Sequence, residues 1–469
     1  MTSAREYFFN VIAQGISRAV SMGASFAAIV LFARVLGTDA FGQLAFLMAF
    51  VMLAAVIAEL GTTGALAKGL AEEKNRDPKT YFGNYLILRA VLACIAILVA
   101  IPVAIMVRPD MIGLLLISSI AIPFIGARVF ETVYQIYERP LYSVYTSIFL
   151  GIAQISVALI LLLIIKVELE GYMYGFVAVQ FAYFLLTLLL VLKLVLPHFH
   201  IHTQTLRKII VMAAPMGVWS IFSAISTRAD IFMLSYLRTT HEVGIYNAAY
   251  RLLDLGTVVA ATVAVPLVPV LTSKFGTNPK EMRMTAARVF ELTIICTLPV
   301  PLLLSFVASP LVEFIYGEAF SESAKLLPIF GWLFIVLTLI YVGSAINLSA
   351  DNIRHASWSA TIAAVLNIAA NLYLIPRYGL LGAAWSSVIS TVFMLLISLV
   401  YVRKSVGNVF DTHKWSRIII AALIPYLYLQ LSLDDSLASR VSISGVLYLF
   451  AILLFRLLPF EYLANWKQK

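Results

Sequence analysis

Fourteen apolar stretches, most of them 20 or more residues long, follow one another with only short polar connections between them. A bilayer's hydrocarbon core is about 30 Å thick and needs about 20 apolar residues per helix. Inside it every backbone N–H and C=O must bond within the protein, so only helices or closed barrels can span it. Uniform hydropathy over this length specifies helices. The spans read 8–33, 41–63, 82–106, 111–134, 141–165, 171–195, 209–236, 243–271, 289–315, 323–348, 356–375, 380–402, 416–433 and 441–457. The last two are the shortest, and twelve is the count without them. The expectation is an all-α polytopic membrane protein.

Composition agrees. Only 12% of the residues are charged and 62% are hydrophobic, whereas soluble domains carry about 25% charged residues. The net charge of +9 does not form one basic patch, so nucleic acid is not an expected partner. Loops after even-numbered spans hold Lys68, Lys74, Arg76 and Lys79; Arg139; Arg207 and Lys208; Lys274, Lys280 and Arg283; Arg354; and Arg403, Lys404 and Lys414. The other loops are leaner, with Arg108, Lys166, Arg238, Arg377 and Arg440. By the positive-inside rule both termini are then cytoplasmic.

Several function classes drop out. No loop is long enough for a folded catalytic domain, and no GxxxxGK[ST] loop is present to drive an ATP-powered pump. Neither an enzyme nor a cofactor is expected. Cys94 and Cys296 sit in separate apolar spans and read as small core residues. The segment "HFHIH" (His198, His200, His202) could chelate a metal by alternation, but no fourth ligand is near, so no metal site is expected. Arg18 interrupts the first apolar stretch, which reads as a retained helix rather than a cleaved signal.

The chain also repeats. "LGTDAFGQLAF" after span one parallels "RTTHEVGIYNA" after span seven, matching Thr38 with Thr240 and Gly42 with Gly244. "ERPLYSVYTSIFLGIAQISVALIL" parallels "DNIRHASWSATIAAVLNIAANLYL", setting Gln154 against Asn367. Two six-helix lobes with a substrate path between them follow from such a repeat, divided here as 1–205 and 206–405, with 406–469 as a further helix pair.

Polar residues inside the spans fall on single helix faces. Span one carries Asn10, Gln14, Ser17, Ser21 and Ser25. Span seven carries Ser220, Ser223, Thr227 and Asp230. Span eleven carries His355, Ser359, Asn367 and Asn371. Lipid cannot hydrogen-bond these groups, so each stripe faces protein or a wet cavity. Three long stripes favour a shared hydrated cavity over isolated helix–helix bonding.

A charge at the centre of a membrane helix costs roughly 2.5–3.5 kcal/mol on insertion scales. Arg128 with Glu131, Arg251 with Asp254, and Arg288 with Glu291 are spaced to pair within their own helices. Arg18 has no acid one turn away and is the leading candidate anion ligand. Guanidinium groups in a low-dielectric cavity suit a phosphate or diphosphate, gripped bidentately. Asp230, Asp254 and Glu131 are the carboxylates available to couple transport to H+ or Na+.

Three stretches bring a family into view: "ARVLGTDAFGQLAF" with "AELGTTGALAKGLAE", then "RADIFMLSYLRTTHEVGIYNAAYRLLDL", then "NLSADNIRHASWSATIAAVLNIAANLYLIPRYGLLGAAWSSVIS". The arrangement resembles the polysaccharide flippases of the multidrug/oligosaccharidyl-lipid/polysaccharide exporter superfamily, which include O-antigen and exopolysaccharide transporters of bacteria. The resemblance implies two six-helix lobes around a central, often cationic cavity, with two further C-terminal helices. It also implies flipping of an undecaprenyl-diphosphate-linked oligosaccharide across the cytoplasmic membrane by alternating access, alongside a polysaccharide polymerase and assembly proteins. Arg18, Arg228 and Arg251 become candidate substrate contacts, with Asn10, Gln14, Asn367 and Asn371 beside them. Multidrug cation antiporters of the same superfamily would favour acids where Arg18 and Arg228 stand. Peptidoglycan-precursor flippases share the helix count and the cationic cavity.

Overall fold

The computed structural model describes residues 4–74, 76–264, 271–272, 279–349, 353–432 and 436–457, and among these there is no β-strand. Nine of the described helices are long and apolar enough to cross a membrane, or ten if one sharply bent pair is a single span. The chain is thus a multi-pass membrane protein whose described elements are all helices. Its chain falls into two compact units, Met1–Gly244 and Ile245–Lys469.

The first unit opens with α1 (Ala4–Glu59). A straight helix of that length would run about 84 Å, far beyond a bilayer core of about 30 Å. Gly37 resolves the mismatch. Its φ of 78° and ψ of −174° break the helix into two arms, in a region L-residues rarely enter. The chain reverses there, because the rings of Phe32 and Phe41, nine residues apart, lie 6.4 Å from one another. Then come α2 (Thr62–Glu73) and α3 (Pro78–Val107), the latter capped by Asp77, whose carboxylate accepts from Thr80 N at 3.1 Å.

The next span is broken. Its pieces α4 (Ile112–Ser119), α5 (Ile122–Ile125) and α6 (Phe130–Ile136) are separated by short turns, and its two halves bend by 48°. Pro123, which cannot donate a backbone hydrogen bond, sits at the break. The unit continues with α7 (Leu141–Leu159), α8 (Leu169–Leu192) and α9 (Thr203–Leu237). Leu66, Phe82, Tyr85, Phe130, Tyr134 and Tyr183 are among its core residues. Buried tyrosines there find carbonyl acceptors: Tyr81 Oη donates to Ala65 O at 2.8 Å and Tyr134 Oη to Thr187 O at 2.9 Å.

The two turns matched in the sequence repeat pack on one another inside this unit. A Cβ on Gly42 would lie 1.8 Å from Thr240 O, and one on Gly244 would lie 2.1 Å from Thr38 O. Thr38 Oγ1 is 2.8 Å from His241 Nδ1, while Thr240 Oγ1 donates to Asp39 Oδ1 at 3.1 Å. The repeat therefore explains why glycine recurs at both positions: each turn's backbone occupies the space that the other's side chain would need.

The second unit takes in most of α10 (Thr240–Ala264), then α11 (Pro279–Thr297), α12 (Pro299–Tyr316), α13 (Leu327–Ser349), α14 (Ile353–Val406), α15 (Thr412–Leu431) and α16 (Leu437–Leu454). α14 breaks at Gly379 (φ 56°) into two arms. A Cβ on Gly382 would come within 2.3 Å of Leu374 O, so the arms fold closely back. The terminal pair α15–α16 joins this unit's core: Ile418, Ala422, Tyr448 and Ile452 pack with Phe290, Ile346 and Val402. Tyr448 Oη donates to Ile295 O at 2.6 Å.

Candidate functional site

In α9, Arg228 and Asp230 are two residues apart, so their side chains leave the helix about 200° apart and do not pair. Asp230 is 3% exposed, flanked by buried Ala229 and Ile231. Arg228 is half-buried and has no ion-pair or hydrogen-bond partner among the described residues. The sequence puzzle of two adjacent charges in one span thus has two separate answers. The acid is enclosed by protein, and the guanidinium is left available.

Span one divides. Ser17 and Ser21 are each 2% exposed. Ser25 Oγ donates to Ser21 O at 2.9 Å and to Gln154 Oε1 on α7. Gly151 of α7 approaches so closely that a Cβ there would lie 2.8 Å from Ser21 Cα. This part of the stripe is helix–helix contact, with the amide matched in the repeat as its partner. The side chains of Asn10, Gln14 and Arg18 lie outside the described residues, as does that of His355.

Asn367 and Asn371 are both buried in α14. Asn371 Nδ2 donates to Asn367 Oδ1 at 3.0 Å, and Asn367 Nδ2 donates to Ser390 Oγ at 3.3 Å. In a straight helix Asn367 and Ser390 would be about 35 Å apart. Their bond therefore ties the two arms together across the Gly379 turn. Asn347 of α13 reaches the second arm in the same way, donating to Ser398 Oγ at 3.3 Å.

The expected acid–base pairs meet different fates. Arg128 Nε and Glu131 Oε1 are 3.9 Å apart, with Glu131 buried and Arg128 open. Arg251 Nη1 and Asp254 Oδ2 are 3.8 Å apart, both partly buried. Glu291 is bound instead by Lys414 Nζ, at 3.1 and 3.3 Å. The lysine comes from the start of α15, a tertiary partner that spacing along one helix could not reveal.

Two features escaped the sequence reading. Arg89 of α3, only 8% exposed, donates from Nη1 to Tyr85 Oη at 3.2 Å. It presses on the broken span so tightly that a Cβ on Gly126 would lie 1.6 Å from its Nη2. As the lone charge in "YLILRAVLACIAIL" it was visible, but it belonged to no pair or stripe. Asn84, near the start of the same helix, holds the histidine-bearing loop by donating to His200 O and accepting from His202 N, both at 2.9 Å. His202 Nδ1 in turn caps α9 by accepting from Thr205 N at 3.4 Å, which gives "HFHIH" a structural use. Outside the spans, hydrogen bonds from the Thr80 backbone and side chain hold the Asp77 carboxyl below its usual range.

Comparison with known proteins adds the following. A sequence profile described as "Polysaccharide biosynthesis protein" matches residues 8–275, and a second, MatE, matches residues 215–373. Capsular polysaccharide biosynthesis protein CapF of Staphylococcus aureus is 25% identical over 204 residues, which is 43% of this chain and 50% of CapF. An uncharacterized membrane protein of Methanocaldococcus jannaschii is 23% identical over 226 residues, 47% of this chain and 44% of that protein. The matched stretch thus spans about half the length of these relatives. Among solved structures, lipid II flippase MurJ in an inward closed conformation superposes with a TM-score of 0.77 at 18% identity, covering 96% of this chain and 99% of MurJ. A multidrug resistance MATE transporter in an inward-facing conformation gives 0.67 at 14% identity, covering 84% and 98%. These likenesses place the fold.

Proposed function

Because the chain belongs to the polysaccharide biosynthesis protein family of the multidrug/oligosaccharidyl-lipid/polysaccharide exporter superfamily, we propose that it flips an undecaprenyl-diphosphate-linked oligosaccharide from the inner to the outer leaflet of a bacterial cytoplasmic membrane. The chain is a transporter of that superfamily; the glycan-bearing cargo is the proposal. The observation that carries it is Arg228, a half-buried guanidinium in a membrane helix, turned away from Asp230 and available to an anion. A diphosphate fits such a group in charge and in bidentate geometry. A cation antiporter would be better served by a carboxylate there. The match to a capsular polysaccharide biosynthesis protein supports a glycan on the lipid.

In this reading fourteen spans form lobes 1–205 and 206–405, the pair 406–469 accompanies them, and both termini are cytoplasmic. Arg18 and Arg251 join Arg228 as diphosphate contacts, with Asn10 and Gln14 beside them. Asn367 and Asn371 brace the second lobe close to the substrate path. Asp230, Asp254 or Glu131 takes up the coupling H+ or Na+, and a polysaccharide polymerase receives the product outside. The test is Arg228→Ala in a strain that depends on this protein for surface glycan. Loss of surface glycan at normal membrane levels of the protein supports the reading, and undiminished export counts against it. Asp230→Asn should abolish dependence on the ion gradient, and unchanged dependence removes Asp230 from the coupling role.

A further inference from the structure

Within the first unit, three helices line a half-open apolar cavity of about 190 Å³. Phe50, Ala54 and Ile57 come from the second arm of α1, and Val99, Ala100 and Val103 from α3. The remaining wall is α9, through Ile221, Ala224, Ile225 and Phe232. At about 100° per residue these four positions lie within about 60° of Arg228 on the helix, so Arg228 shares their face of α9 although its own side chain is not part of the cavity wall. Ser235, about two turns beyond Arg228, continues the same stripe and accepts from Arg108 Nη1 at 3.2 Å. Arg108 is itself held by Asp110, with Nε–Oδ1 at 2.8 Å. Phe232 meets Phe46 edge to face at 5.3 Å.

We propose that this cavity holds the phosphate-proximal part of the isoprenoid chain of a lipid phosphate, with Arg228 gripping the phosphate. The inference rests on the lipid-linked cargo proposed above and locates where its lipid moiety sits. Three observations carry it. The wall is apolar throughout, so it offers a hydrocarbon chain burial and offers a sugar nothing to bond. Each of the three helices contributes a small side chain to the wall, Ala54, Ala100 and Ala224. Ligand pockets for drug-sized molecules run from about 300 Å³ upward, so this one takes a segment of a single chain rather than a whole lipid. Finally, the one charge on the stripe is a cation with no described partner, while the neighbouring cation on the same seam, Arg108, already has its acid. An anionic amphiphile therefore complements the site in both parts, and a neutral or cationic one does not.

The experiment uses the full chain in nanodiscs of phosphatidylcholine with one-fifth phosphatidylglycerol, probed with undecaprenyl diphosphate and with undecaprenol, and read by native mass spectrometry. Wild type should retain undecaprenyl diphosphate in preference to phosphatidylglycerol. Ala224→Leu and Ala100→Leu fill the cavity and should reduce retention of both probes at least tenfold. Arg228→Gln should reduce retention of the diphosphate at least tenfold and leave undecaprenol unchanged. Retention at the wild-type level by both filled variants overturns the proposal, and so does displacement of the probe by an equal amount of phosphatidylglycerol, which would mark an ordinary lipid groove. If the filled variants do not fold, a photoreactive isoprenoid diphosphate on wild type decides. Adducts within Val99–Ala104 and Ile221–Phe232 support the site, and adducts confined elsewhere overturn it. A protein that retains the probe here but never moves a glycan-bearing lipid across a bilayer sinks the flippase reading and leaves this site standing. One that flips such a lipid while the filled variants flip and bind as well as wild type does the reverse.

Discussion

Replacing Gly42 by alanine should loosen the packed turns of the first unit by an amount the geometry bounds. The new Cβ would lie 1.8 Å from Thr240 O, against 3.4 Å for the shortest ordinary contact. The two turns must therefore separate by about 1.6 Å. Overpacking of this kind costs about 1–3 kcal/mol. The same movement stretches the Thr38–His241 contact, now 2.8 Å, and the Thr240–Asp39 bond, now 3.1 Å, beyond hydrogen-bonding range. Each is worth about 0.5–1.5 kcal/mol, the exposed Asp39 bond at the low end. Together the loss is about 2–5 kcal/mol. For a unit of some 244 residues each kcal/mol moves the thermal midpoint by about 2–4 °C, so a drop on the order of 5 °C or more is expected in detergent. Gly244→Ala should cost about as much, and the double variant less than the sum, because the turns separate only once. A midpoint within 1 °C of wild type for both single variants would refute the reciprocal packing.

Three further outcomes follow from the structure. Asn367→Ala removes the bond to Ser390 that ties the two arms of α14 and should destabilise by about 0.6 kcal/mol and at most about 1.7, the mean and maximum for such bonds between membrane helices, read by unfolding in mixed micelles. Gly126→Ala drives a methyl group into Arg89 Nη2 and should lower the thermal midpoint, whereas Arg89→Met combined with Gly126→Ala should recover most of the loss; absence of recovery would mean that the broken span, not the arginine, fixes the glycine. Asp77→Ala should weaken the first turn of α3 by about 0.5–2 kcal/mol at neutral pH, near the low end for so exposed a cap. The folded-state carboxyl titrates below its usual value of 3.8, so its contribution is complete above that pH and fades as the pH falls through the lowered value. Amide exchange of Thr80 and Tyr81 in wild type and variant should converge at low pH.

Much of the architecture was legible because lipid imposes one rule on every segment. Apolar runs marked a series of membrane-spanning helices, nine or ten of which are found among the described residues, and the repeat flagged Thr38, Gly42, Thr240 and Gly244 before their contact was visible. What the sequence could not tell was which polar stripes meet water. Ser21, Ser25 and Gln154 satisfy each other across α1 and α7, and Asn367 is bonded across its own hairpin. Periodicity shows that a face is polar, but two dry helices that bond to each other carry the same periodicity as a cavity wall. Glu291 illustrates a second limit, since its partner Lys414 lies 123 residues away. Arg228 and Asp230 show the opposite case. Their spacing alone sends them to different faces of α9, and the structure buries Asp230 while leaving Arg228 half-buried.

The central claim is that this chain carries a diphosphate-linked glycan across a bilayer. Purified protein reconstituted into liposomes with a fluorescent undecaprenyl-diphosphate oligosaccharide in the inner leaflet tests it most directly, with a membrane-impermeant quencher or lectin reading the outer leaflet. Wild type should expose the glycan outside much faster than protein-free liposomes, and Arg228→Ala should not. Exposure no faster than in protein-free liposomes, under every H+ and Na+ gradient imposed, would contradict the account.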